Sequence, residues 1–300
     1  MNATSVGSVE DLFDETKTPD DVYIDLITQH VEQYNDREQQ FEAILPILRQ
    51  SFQTRLERAI HEGRIPQIVS EVANRRMGDL DIVLVDALST HLDDYTGAYN
   101  VDAEQIKIAE QTWDDSGEES FLDKIFGKRP QSQDEEQEVP RTLEHVYTHE
   151  MLHFLAGRTI LSSVDIEQDF EGEIIHQRGG LRYNTPNRRF QWLNEAVTEG
   201  LAVEFMGGKD KGIYRREREL LRLLQTKGKT ELPEDLFIDA YFENYDPNIL
   251  QKDRIPAWKK LQQAINKAYE PGFLVQIDNV VRNEGTAKAI EVLNQRPPAQ

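Results

Sequence analysis

The chain has 300 residues, with 34 Lys and Arg against 55 Asp and Glu, a formal net charge of −21 and no cysteine. Without thiols there is no disulfide scaffold, Cys-ligated metal site or thiol nucleophile, and a chain this acidic repels phosphate backbones, which argues against nucleic-acid partners. The length suggests one or two domains, and the longest apolar runs, such as Ile82-Val83-Leu84-Val85, are too short for a membrane span.

Residues 1–17 are acidic and small, lack the apolar segment of a secretory leader, and are expected to be disordered in a cytoplasmic protein. Residues 18–78 are expected to form an N-terminal helical subdomain. Thr18-Pro19-Asp20-Asp21 opens it with a capping hydroxyl, proline at the first helical position, and carboxylates at the positive end of the helix dipole. From Val22 to Ile60 apolar residues recur at helical intervals, with Phe41, Ile44, Leu48, Phe52 and Leu56 the clearest run. Pro46 interrupts it, so two helices or one kinked helix is expected. Gly63 suits a C-terminal cap, and a short helix is expected between Pro66 and Met77.

Asp81 to Leu88 is rich in Val and Ile and reads as a strand. Gly97 to Tyr99 and Gln105 to Ala109 are extended candidates for a hairpin or an edge strand. Residues 114–139 contain the stretch QSQDEEQEVP and read as a solvated insertion. A helix is expected over 141–157, between Pro140 and Gly157. A hairpin is expected next, with arms at Glu173–Tyr183 and Arg189–Trp192 across Asn184-Thr185-Pro186-Asn187. Helices follow over 194–206, ending at Gly207-Gly208, and at about 213–226, 233–242, 255–269 and 272–294. The sum is an α+β protein, with a small mixed sheet, helices around it and a largely helical C-terminal part.

The helix over 141–157 carries His149-Glu150-Met151-Leu152-His153, an HExxH. Two imidazoles four residues apart project from one helix face and can share a metal ion, while the intervening Glu can act as general base on a water. His145, His149 and His153 together could instead be a polar stripe on a solvated helix. Val146, Met151, Leu152 and Leu155 surround them, however, which argues for burial, where unpaired histidines are costly. A catalytic metal needs a third protein ligand. Downstream, Trp192-Leu193-Asn194-Glu195-Ala196-Val197-Thr198-Glu199 places Glu195 and Glu199 one helical turn apart. One can bind the metal and the other can accept the far N–H of a ligating His. Imidazole with carboxylate suits a single Zn²⁺.

HExxH followed by an NExxxE helix resembles the gluzincin metallopeptidases, the thermolysin-like and aminopeptidase-N-like group. The resemblance covers about residues 79–225 and implies a zincin-like domain over residues 79–300. It implies His149, His153 and Glu195 as zinc ligands, Glu150 as general base, and Glu199 as support for a ligand histidine. It also implies that an extended peptide pairs with an edge strand in the region from Gly97 to Ile108. Two departures stand out: 41 residues separate His153 from Glu195, longer than the usual spacing, and the Gly-Ala-Met-Glu-Asn motif of aminopeptidases is absent, so exopeptidase activity is not implied.

Such enzymes use a Tyr or His to stabilise the oxyanion of the tetrahedral intermediate. Tyr214, at the start of the helix after Glu195, is the first candidate; Tyr183 and His176 are the others. The expectation is a zinc-dependent peptidase acting on a peptide or protein substrate, an endopeptidase by default. A non-catalytic zincin-like scaffold that holds peptides without cutting them is the alternative, and a helical protein with a coincidental motif is a third. Neither a nucleic acid nor a membrane is expected as a partner.

Overall fold

A computed structural model describes residues 37–78, 80–85, 97–100, 105–109, 143–160, 177–183, 188–208, 214–243 and 256–296. The expected disordered N-terminus, the helix start at Thr18, the acidic insertion and His176 lie outside these residues. Helices make up most of what is described. In chain order they are α1 (Arg37–His61), α2 (Ile68–Arg76), α3 (Leu143–Leu155), α4 (Gln191–Phe205), α5 (Arg215–Thr226), α6 (Glu234–Tyr241), α7 (Ala257–Ala268), α8 (Phe273–Glu284) and α9 (Thr286–Asn294). Among the described residues no helix is long and apolar enough to cross a membrane.

α1 is a single helix that contains Pro46. Proline removes one backbone donor, but Phe41, Ile44, Leu48, Phe52, Leu56 and Ala59 all bury one face of α1 and hold the helix across the defect. Gly63 closes it at φ +73°. This helix packs on α3 and α4. Ser51 donates to the buried carboxylate of Glu144 at 2.9 Å, and Arg55 pairs with the same group at 3.0 Å.

Two three-stranded sheets flank the helices. In the first, β1 (Asp81–Val85) runs parallel to β3 (Gln105–Ala109), and β2 (Gly97–Asn100) runs antiparallel to β3, so β3 is central and β2 outermost. Of the stretch from Gly97 to Ile108, only β2 therefore lies at an edge among the described residues, and β1 forms the other edge. β2 packs against α3, where Tyr99 meets Phe154 edge-on at 5.6 Å. The second sheet has the order β4 (Arg158–Ile160), β5 (Gln177–Gly179), β6 (Arg182–Tyr183), all antiparallel.

This second sheet corrects the expected hairpin. Its turn falls at Gly180-Leu181, residues 184–187 lie outside the described residues, and Arg189–Trp192 is no strand: Arg189 and Phe190 turn the chain and Gln191 begins α4. Gly180 has φ +57°, and a Cβ there would press on the Asn194 amide and the Tyr241 ring, so only glycine fits. Phe190 is itself left-handed at φ +59°, its N–H donated to Asp278 at 2.8 Å. The last expected helix is divided in two by Gly285, at φ +90°.

Candidate metal centre

α3 and α4 pack against each other in the middle of the core. Every residue of α3 is buried except His153, and α4 buries all but Gln191, Gly200 and Glu204. Apolar residues of both helices, among them Val146, Met151, Leu152, Leu193, Ala196 and Leu201, are buried there. Into it the two helices send five ionisable side chains.

These interleave as a zigzag, His145–Glu199–His149–Glu195–His153, with histidines from α3 and glutamates from α4. His145 Nε2 lies 3.1 Å from Glu199 Oε1, and His149 Nδ1 lies 2.9 Å from Glu199 Oε2. His149 Nε2 lies 3.3 Å from Glu195 Oε2, and His153 Nε2 lies 3.1 Å from that same oxygen. The two Nε2 atoms are 3.1 Å apart. The spacing follows from helix geometry, since residues four apart lie one above the other on a face. Burial alone would raise the Glu195 carboxyl, but the surrounding imidazoles, His153 foremost, hold it well below its ordinary value.

His149, His153 and Glu195 thus present three ligand atoms in a triangle, and they could hold a metal ion. The dimensions fit: donors at about 2.0–2.1 Å from a tetrahedral ion stand roughly 3.3 Å from one another. The donor chemistry fits as well. A carboxylate accepts only, so Glu199 fixes the His149 proton on Nδ1 and turns the Nε2 lone pair toward the triangle.

His153 is held differently. Its Nδ1 lies 3.3 Å from Thr198 Oγ1 and equally far from Asn194 Nδ2. Thr198 donates its single proton to the Asn194 carbonyl at 2.8 Å, leaving its oxygen as an acceptor toward His153 and toward the Tyr241 hydroxyl at 2.8 Å. Burial pushes the Tyr241 phenol well up; against the pull of the Thr198 hydroxyl, the carboxylates of Glu195 and Glu150 add to the rise. The phenol therefore stays protonated and donates. Asn194 Oδ1 in turn accepts the Leu181 N–H at 2.9 Å, which ties the β5–β6 turn to the residue before Glu195.

Glu150 is buried beside this cluster, and its carboxylate makes no hydrogen bond to protein among the described residues. Tyr214 is the left-handed residue (φ +48°) that starts α5, and its ring stacks on His149 with centroids 5.6 Å apart and planes 14° apart. Tyr183 does not face the cluster: its phenol oxygen accepts the Trp258 indole N–H at 2.8 Å, and its ring packs on Phe190 and Trp258. Thr198 and Tyr241 carried no role in the sequence reading. Thr198 has a signal in hindsight, a threonine one turn after Asn194 in a buried helix. Tyr241 has none, because only the packing of α6 on α4 brings it there.

Comparison with protein-family models, curated proteins and solved structures returned no match.

Proposed function

We propose that the chain is a zinc-dependent peptidase, a hydrolase built on a gluzincin-like arrangement and working in the cytoplasm. The observation that carries this reading is the convergence of three ligand atoms beside a buried carboxylate that has no protein hydrogen-bond partner among the described residues. His149, His153 and Glu195 would hold one Zn²⁺, which when bound supplies Lewis acidity to acidify a water and polarise a carbonyl. The Glu150 carboxylate, not needed as a ligand, takes the proton from the attacking water and returns it to the leaving amine. Glu199 and Thr198 keep the ligand rings oriented. Tyr214, in contact with His149, is the candidate donor to the developing oxyanion. An extended substrate would pair with β2, an outer strand packed on α3.

The test is a metal measurement on protein purified without added zinc, with a peptide-library cleavage assay on wild type and Glu150→Gln. The expected result is one zinc per chain in both proteins, with cleavage lowered by roughly 10²–10⁴-fold in the variant. Zinc without cleavage in the wild type would favour a non-catalytic peptide-binding protein. Loss of zinc from Glu150→Gln would make Glu150 a ligand and overturn its assignment as the base.

A further inference from the structure

His145 lies one turn before the HExxH and is wholly buried. Its Nε2 is 3.1 Å from Glu199 Oε1, while the other oxygen of Glu199 is 2.9 Å from His149 Nδ1. Glu199 is likewise fully buried, so its carboxylate is gripped at both oxygens by imidazoles from the same face of α3. A carboxylate held at one oxygen can rotate about its last side-chain bond; one held at both has its plane fixed. A buried carboxylate with too few donors is also costly, and charge-assisted hydrogen bonds are the strong ones.

From this geometry we infer that His145 is a positioning residue of the metal centre. It donates Nε2–H to Glu199 and so locks the carboxylate in the plane that holds the His149 ring proton on Nδ1. The inference rests on the reading of His149, His153 and Glu195 as a metal site. It extends the support of the first ligand outward by one residue and gives the third histidine of the stripe a specific task. A core histidine with no such task would be replaceable by an apolar ring of similar size.

The experiment titrates Zn²⁺ into the full-length chain against a competing chromophoric chelator, for wild type, His145→Phe, His145→Gln, Glu199→Gln and the double variant His145→Phe/Glu199→Gln. Phenylalanine keeps a ring and removes the donor; glutamine restores a donor near the place of Nε2. His145→Phe should weaken zinc binding by about 10–100-fold, as outer partners of metal ligands do. His145→Gln should recover most of that loss. In the Glu199→Gln background His145→Phe should have little further effect, since His145 acts through Glu199. A purely structural role would lower the melting temperature of the metal-free protein without this coupling. If His145→Phe does not fold, nitrogen-15 spectra of histidine-labelled wild type and His145→Gln decide. Protonated His149 Nδ1 and His145 Nε2, both slow to exchange, are expected, and an unprotonated Nε2 on His145 would overturn the inference. Wild-type zinc binding with an unaffected His145→Phe would overturn this inference alone, whereas a wild type that binds no zinc would overturn the metal site as well.

Discussion

Thr198→Val isolates the polar link behind His153. Valine matches threonine in shape but can neither accept from His153 Nδ1 and the Tyr241 hydroxyl nor donate to the Asn194 carbonyl. The Tyr241 side chain is fully buried, so its hydroxyl loses its partner with no water to replace it. An unsatisfied buried hydroxyl costs about 1–3 kcal/mol, and the lost bond to Asn194 adds about 0.5–1 kcal/mol. With roughly 2–4 °C per kcal/mol in a protein of this size, the melting temperature should fall by about 3–16 °C. Zinc affinity should fall by about tenfold, because His153 loses the acceptor that holds its ring proton on Nδ1. The informative control is Thr198→Val/Tyr241→Phe. Removing the stranded hydroxyl should restore about 1–2 kcal/mol of stability, although Tyr241→Phe alone destabilises the wild type. Calorimetry and a chelator competition measure both quantities. A double variant that melts no higher than Thr198→Val, or a Thr198→Val protein that melts like wild type, would refute the assigned bonding.

Acid should release the metal through the histidines. The Glu195 carboxyl is held below its ordinary value, so its contribution is present above the unfolded pKa and lost only as pH falls through the lower folded one. Zinc affinity should steepen toward about 100-fold per pH unit in acid, because each of the two ligand imidazoles must be free of its proton at the metal-binding nitrogen; a flat profile from about pH 7.5 to about pH 5.5 would contradict the ligand set. Gly180→Ala forces a side chain into a left-handed turn and against Asn194 and Tyr241, and should cost about 2–4 kcal/mol in chemical denaturation. Wild-type stability would mean that the β5–β6 turn is not the anchor of Asn194. Tyr214→Phe keeps the ring on His149 and should leave zinc affinity unchanged while lowering kcat by roughly 10²-fold with little change in KM. A normal kcat would reduce Tyr214 to packing.

The local features were legible because short-range chemistry dictates them. Helical periodicity marked α3 to α7 to within a few residues, and ran α8 and α9 together as one helix. The i, i+4 spacing alone put His149 with His153 on one face, and Glu195 with Glu199 on another. The short strands Asp81–Val85 and Gln105–Ala109 announced themselves by composition, although their parallel pairing did not. What the sequence could not show depends on contacts between distant segments. The β5–β6 turn lies at Gly180 because Asn194, 13 residues beyond Leu181, accepts that residue's backbone N–H. Pro46 leaves α1 whole because packing holds the helix where its own hydrogen bonding is broken. Tyr183 belongs to Trp258, 75 residues away, and not to the metal centre. The register between α3 and α4 decides the rest. Either helix alone carries a stripe of ionisable residues that could face solvent, and only their packing interleaves the stripes so that Glu199 falls between His145 and His149 and Glu195 between His149 and His153. Helix periodicity is a property of each segment, whereas the meeting of two faces is settled by the apolar area both must bury.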